Sequence, residues 1–328
     1  MVSFVVNDID IEDLGSAATA LKTLAADPAL RAAFVDGPAL SRFLRTAAGR
    51  YIVAEDRATL AGRLKLLEDK GYRTGVEYVG EEVVDPAEIE GVVHEYLDLI
   101  DGADADAANP VQLGYDLSNV GSLVSPELAV RNTDRILEAA LEKNIKVLIS
   151  MERSGFVDSI LDAFDEIAPR NPNVGLTVQA HLHRTEDDLA RVARHGRKVR
   201  LVKGVYRESP TVALPRGPEL NDRYLRLAES LLDYGVELAC ATQDPRVHTL
   251  LERRGLIERV TEIEMLHGVR PSVLRARRVE GLPCRVATVY GTNWWLHFLH
   301  RLAEYPPNVL TALADLADPA RVRFAAEY

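Results

Sequence analysis

The sequence predicts an α/β protein: a (β/α)8 TIM-type barrel over residues 73–328, preceded by a helical segment over residues 1–72. Three observations carry that expectation. From Arg73 onward, short β-branched runs alternate with amphipathic helical stretches, and strands that alternate with helices pair in parallel through right-handed crossovers. The runs number eight, the count of a closed barrel. No G-x-G-x-x-G follows the first of them, where a doubly wound nucleotide-binding sheet normally carries it.

The elements follow in order. Residues 8–70 read as helices with no sheet partner. Ala and Leu recur at helical spacing over 14–26 and 28–35, and Pro28 stands where a first-turn proline is tolerated. Asp36-Gly37-Pro38 breaks the run. Further helices are predicted over 39–47 and 56–70, the last ending at Lys70-Gly71 with a basic residue and a C′ glycine. The strands are predicted at 73–79, 110–115, 146–151, 174–180, 199–205, 236–242, 261–266 and 284–289. Ser125-Pro126 opens one intervening helix as N-cap and N1, and Thr185 opens another with Asp188 at N3. Asp244-Pro245 opens a third that closes at Gly255, and Gly235 ends the helix before the sixth strand.

Composition narrows the function classes. The net charge, 39 − 50 = −11, argues against non-specific nucleic-acid binding and against docking on an anionic membrane. No apolar run is long enough to span a bilayer, and the N-terminus lacks the basic region of a signal peptide. The two cysteines, Cys240 and Cys284, sit in apolar strand-like runs and read as buried, inert thiols of a reducing compartment. A cytoplasmic protein with no nucleic-acid partner and no integral membrane segment is the expectation.

In a barrel, chemistry sits at the C-terminal strand ends. The most informative such end is Arg200-Leu-Val-Lys-Gly-Val-Tyr206, an apolar run that stops abruptly at Lys203, Gly204 and Tyr206. Burying a lysine there is costly, so either the ammonium reaches solvent or it serves a site. A Schiff base at Lys203 would need a lowered pKa, and Arg200 lies towards the far end of its strand. Lys203 with Arg184 could instead hold an anion, whether a phosphate or a reduced flavin. His181-Leu-His183 would place two imidazoles on one strand face, but a metal site needs further ligands and only His267 and Asp244 offer themselves, so no metal is expected. On the last long helix His297, His300 and Arg301 share one polar face at i, i+3, i+4 spacing, which fits a ligand clamp or a plain solvated surface.

Several of these pieces, in this order, resemble the proline dehydrogenase family of flavoenzymes. They are Tyr78-Val-Gly-Glu81, Met151-Glu152, Gln179-Ala-His-Leu-His-Arg-Thr-Glu186, Arg200-Leu-Val-Lys-Gly-Val-Tyr206, Ala241-Thr-Gln-Asp244, Met265-Leu-His-Gly-Val-Arg-Pro271 and Tyr290-Gly-Thr-Asn-Trp294 leading to His300-Arg301. The resemblance covers about residues 73–312. It implies a distorted (β/α)8 barrel with FAD at its C-terminal face and the substrate under the last helix. By the same resemblance Gln179, Arg184, Lys203, Gly204, Thr242 and Gln243 contact FAD, with Gln243 in place of the family's usual histidine. Lys203, Arg184 and Tyr206 are the catalytic candidates. The substrate-side residues are Asp116, Ser150, Tyr206, Ala287, His297, His300 and Arg301.

The substrate side departs from the family pattern. The family holds the proline carboxylate with a lysine on the second strand and an arginine pair on the last helix. Here those positions are Asp116 and His300-Arg301, while the third-strand aspartate is Ser150, an eighth-strand tyrosine is Ala287 and the aromatic gate is His297. Losing a lysine and an arginine removes a charge-assisted grip on a small carboxylate. Asp116 suits a substrate bearing an ammonium or hydrazinium group, and Ala287 opens volume. The expectation is an enzyme that oxidises a C–N or N–N bond of an amine-bearing amino acid other than proline. His297 and His300 would supply hydrogen bonds or protons near neutral pH. Quinone or oxygen would accept the electrons. Ordinary proline (or hydroxyproline) oxidation and a non-catalytic flavin-binding or partner-binding relative are the alternatives.

Overall fold

The computed structural model describes residues 11–80, 82–104 and 111–328; Glu81 and the first residue of the predicted second strand lie outside it. The chain begins with α1 (Ile11–Ala25), α2 (Pro28–Asp36), α3 (Pro38–Ala48), β1 (Ile52–Ala54) and α4 (Arg57–Asp69). The barrel then alternates β2 (Arg73–Tyr78), α5 (Pro86–Asp101), β3 (Gln112–Tyr115), α6 (Pro126–Glu142), β4 (Val147–Ile149), α7 (Val157–Ile167), β5 (Val174–Gln179), α8 (Thr185–Ala193) and β6 (Lys198–Val202). It continues with α9 (Pro218–Asp233), β7 (Leu238–Ala241), α10 (Pro245–Arg253), β8 (Glu262–Leu266), α11 (Pro271–Val279) and β9 (Cys284–Tyr290), and ends with α12 (Trp295–Glu304) and α13 (Asn308–Ala317).

All strand pairings are parallel, and β9 closes the barrel by pairing with both β8 and β2. The expected (β/α)8 architecture is therefore present in β2–β9. The all-helical reading of residues 8–70 needs one correction. β1 is a ninth strand, parallel to β9, with Ile52 opposite Val289. It takes up the β9 edge just past Ala287, the last residue that β8 covers. Three residues are too short to show a period of two, so only the vacant edge of β9 decides their conformation.

The barrel strands are shorter than predicted at several ends. β6 stops at Val202 because Gly204, at φ +104°, turns the chain out of the sheet. Ser125 and Asp244 cap α6 and α10 as predicted, each accepting from a first-turn backbone N–H. Thr185 does not cap α8: Arg184 holds the N-cap position, and the Thr185 hydroxyl donates to the Gln179 carbonyl at 2.7 Å. Both cysteines are buried and free.

The N-terminal helices pack on the C-terminal ones. α1 runs along α12, and α3 lies against α13. Phe34 meets Trp294 edge-on at 4.6 Å in a cluster that also buries Tyr51, Trp295 and Phe298. Arg50 grips the fully buried Asp315 through two bonds of 2.6 and 2.8 Å. The effect is to clamp α12 over the C-terminal mouth of the barrel.

Candidate active site

A cavity of about 1180 Å³ opens at the C-terminal strand ends, above the few-hundred to 1,000 Å³ of ordinary small-molecule sites. Asp116, Ser150, Gln179, Lys203, Gly204, Tyr206, Thr242, Gln243, Ala287, His297, His300 and Arg301 all line it. The strand-end rule thus brings together twelve of the thirteen predicted residues.

Arg184 is the exception and does not line the cavity. Its guanidinium is taken by Asp188 at 2.7 Å and Asp158 at 2.6 Å on the outer helices, which raises its pKa further. Arg200, from the strand before Lys203, does line the cavity. Its side chain points into the barrel, between Glu77 at 2.8 Å and Glu264 at 2.9 Å. The sequence carries the signal: in Lys198-Val-Arg-Leu-Val202 the polar residues alternate with apolar ones, so the apolar face meets the helices and the charged face fills the barrel. Below it, Lys198 and Arg285 pair with Glu262 at 2.5 and 2.8 Å.

Lys203 is nearly buried, and its ammonium is held by Asp244 and Asn221, both at 2.5 Å. Burial lowers its pKa while the Asp244 pair opposes that fall. Gly204 is required here twice over. Its φ is +104°, and a Cβ would stand 1.3 Å from His181 Nδ1. That imidazole lies against the backbone and is linked to the Lys203 carbonyl at 2.8 Å through Nδ1. His183 turns instead to the Pro210 carbonyl, 3.0 Å from Nε2, so the two rings do not converge. No group of three potential metal ligands occurs among the described residues.

On the substrate side, Arg301 is 6% exposed. Its Nη1 contacts Glu304 at 2.9 Å, while its buried Nε has no hydrogen-bond acceptor. His300 meets Tyr206 edge-on at 6.2 Å. His297 and His300 each show part of the ring to the cavity but are otherwise enclosed by protein. Desolvation, reinforced by the Arg301 charge, lowers both pKa values, that of His300 to about 3. Both are therefore neutral near pH 7, which corrects the expectation that they supply protons there; they offer hydrogen bonds only.

The family model for proline dehydrogenase matches residues 60–304. The chain belongs to the proline dehydrogenase family. It is 29% identical over 276 residues to proline dehydrogenase 2 of Bacillus subtilis (strain 168), covering 83% of this chain and 91% of that protein. It is 28% identical over 270 residues to proline dehydrogenase of Deinococcus radiodurans, covering 80% and 87%. Among solved structures, proline utilization A (PutA) from Bdellovibrio bacteriovorus, inactivated by N-propargylglycine, superposes with a TM-score of 0.73 at 17% identity. That match covers 95% of this chain and 39% of the longer PutA chain, and it speaks to the fold. As a member of the proline dehydrogenase family the chain is an oxidoreductase with a small-molecule amino-acid substrate and FAD as its cofactor. Among the described residues no helix is long and apolar enough to cross a membrane.

The residues present fit FAD. Gln179 is 3% exposed, and its Nε2 donates to the Met151 and Glu152 carbonyls at 2.7 and 2.9 Å. Its Oε1 is buried without a partner, an acceptor suited to the imide N–H of an isoalloxazine ring. On another side Lys203, Arg216, Arg246, Arg270 and Arg275 line the cavity, a cationic wall suited to a pyrophosphate. Gln243 sits in that wall, its carbonyl 3.3 Å from Arg270 Nη1. None of these arginines received a role from the sequence alone, although Arg270 stands in the Met265-Leu-His-Gly-Val-Arg-Pro271 motif. Arg216 and Arg246 come from a loop and a helix start, and Arg275 from within α11, where no periodic signal marks a ligand contact.

Proposed function

We propose that this oxidoreductase oxidises a C–N (or N–N) bond of an amine-bearing amino acid larger than proline. The observation that carries this reading is the pair Asp116 and His300 in the cavity wall, a carboxylate and a neutral imidazole where the family pattern sets a lysine and an arginine. Proline's carboxylate meets one arginine there and faces a carboxylate of like charge, while an added ammonium finds a counter-charge.

The division of labour is as follows. FAD, when bound, would supply the hydride acceptor for the carbon (or nitrogen) next to the substrate's unprotonated amine. Arg301 anchors the substrate carboxylate through its free Nε, and its charge is steadied by Glu304. Tyr206 and the neutral His297 and His300 form the wall against which the substrate chain lies. Arg200, held between Glu77 and Glu264, presents an oriented guanidinium on the cavity floor, its charge matched by those carboxylates. Lys203 is matched by Asp244, so it adds a hydrogen-bond donor and little net charge. The substrate would give up a hydride and then a second proton from nitrogen, two electrons and two protons in all, leaving an imine or hydrazone that water hydrolyses. Quinone or oxygen then takes the electrons. The two buried free cysteines accord with a reducing, cytoplasmic setting.

A second reading, oxidation of L-proline itself to pyrroline-5-carboxylate, is favoured by the relatives' activity and by the retained Tyr206 and Arg301. Anaerobic mixing of the FAD-loaded protein with proline, hydroxyproline and N-substituted lysine-type amines separates the two. Bleaching of the flavin absorbance by the longer amines and not by proline supports the first. Bleaching by proline alone sinks it, and bleaching by no amine at all leaves a flavin-binding relative without catalysis.

A further inference from the structure

The main cavity has a neighbour. Glu77, Asp116 and His297 line the large cavity and also line a second, small one of about 70 Å³. At roughly 30 Å³ per water molecule, that is room for two waters or for one small polar group with its methylene. Arg31 from α2 and Asn293 ahead of α12 contribute to its wall, and so does Asn119, in the tight turn that follows β3.

Asn119 is the informative residue. It is 2% exposed. Its Nδ2 donates to the Gly80 carbonyl at 2.5 Å, which fixes the amide orientation, since the reverse would set two oxygens against each other. Oδ1 is then left buried with no hydrogen-bond partner. A buried acceptor without a donor is rare and unfavourable, and this one belongs to a residue of the cavity wall. The surrounding groups ask for the same chemistry. Glu77 and Asp116 bring two carboxylates to the lining, and Arg31 brings one cation. Glu77 is also paired on its far side with Arg200 at 2.8 Å. His297 lies at the boundary between the cavities, and burial lowers its pKa.

We infer that the small cavity is a subsite for the distal ammonium group of the substrate, received by Asn119 Oδ1 and the Asp116 carboxylate. This rests on the reading that the enzyme takes an amino acid longer than proline, and it names where the extra length goes. The substrate class it selects is a diamino acid whose second amine is protonated, with three or four methylenes between the α-carbon and that nitrogen. The α-carboxylate stays on Arg301.

The test is isothermal titration calorimetry on the FAD-loaded protein with three ligands of similar length. Ornithine ends in an ammonium, norleucine in a methyl and 2-aminoadipate in a carboxylate. Ornithine is expected to bind at least about tenfold tighter than norleucine, the scale of one charge-assisted hydrogen bond, with 2-aminoadipate weakest. Asn119→Leu should cut the ornithine preference to about twofold, and Asn119→Asp, which keeps the acceptor and adds charge, should enlarge it. Equal binding of ornithine and norleucine overturns the subsite. So do tighter binding of 2-aminoadipate, a preference that survives Asn119→Leu and a preference that shrinks in Asn119→Asp. If Asn119→Leu fails to fold or to load FAD, the Asn119→Asp comparison decides. Flavin bleaching is read apart from binding. Turnover of a longer amine with no dependence on Asn119 removes the subsite and keeps the proposed reaction; ammonium-selective binding without bleaching does the reverse.

Discussion

The two ends of the barrel interior handle polarity in opposite ways. At the N-terminal strand ends Glu262 takes Lys198 at 2.5 Å, Arg285 at 2.8 Å and Arg73 at 3.0 Å, and Gln112 accepts from Lys198 at 2.5 Å. At the C-terminal ends equally buried atoms are left over: Gln179 Oε1, His181 Nε2, Asn119 Oδ1 and Arg301 Nε. Both arrangements are costly to remove from water. The lower one is compensated within the chain and serves the fold. The upper one is completed only from outside, and that is where cofactor and substrate belong.

The largest expected effect breaks the lower end. Glu262→Ala strands buried cations and should cost about 3–5 kcal/mol, read by chemical denaturation or as loss of soluble protein. A cost below about 1 kcal/mol would mean that the network is hydrated and the contrast between the ends is false.

The second breaks the upper end without touching the fold. Arg301→Met should weaken a carboxylate-bearing substrate by about 2 kcal/mol, near a 30-fold rise in KM, while the corresponding carboxamide is much less affected. An equal loss for acid and amide would show that Arg301 supports α12 and does not bind substrate.

The third concerns protonation. Burial lowers the pKa of His248 to about 4 and of His267 to about 3, so both are neutral in the folded state. In the unfolded chain a histidine protonates near pH 6.5. Below that pH the unfolded state binds more protons, so stability is full above about pH 6.5 and falls as pH drops towards 4. Each such histidine contributes roughly 1 kcal/mol per pH unit. Urea titrations at pH 7 and pH 5 measure the fall, and a His248→Asn variant should show a shallower one. Equal stability at the two pH values would rule out buried neutral histidines.

The smallest expected effect sharpens the upper end. Asp116→Lys combined with His300→Arg restores the family's cationic grip and should raise kcat/KM for proline by about tenfold. No gain in proline affinity removes the charge argument for a different substrate.

Much of this was legible from residues in line. Strand and helix alternation gave the barrel, because each element's period reflects which face it buries. Arg184 misled because a cation after a strand looks the same whether it turns into the mouth or, as here, out to Asp158 and Asp188 on neighbouring helices. Arg200 was legible but passed over, since its alternation with Val199 and Leu201 already set it inside. The histidines of α12 were placed on the correct face, yet their protonation depends on enclosure that no spacing encodes.

By itself, then, the sequence determined the order of elements, the glycine at position 204, and which strand ends carry polar side chains. Tertiary structure alone decided that Ile52–Ala54 would become a strand on the edge of β9, and that Arg200 would meet Glu77 and Glu264 from the far sides of the barrel. It also decided which buried atoms stay without partners. The physical reason is the range of the interactions. Backbone preference and periodicity act over a few residues, whereas pairing a charge or leaving an acceptor open depends on groups from tens of positions to more than a hundred away, brought together only when the barrel closes.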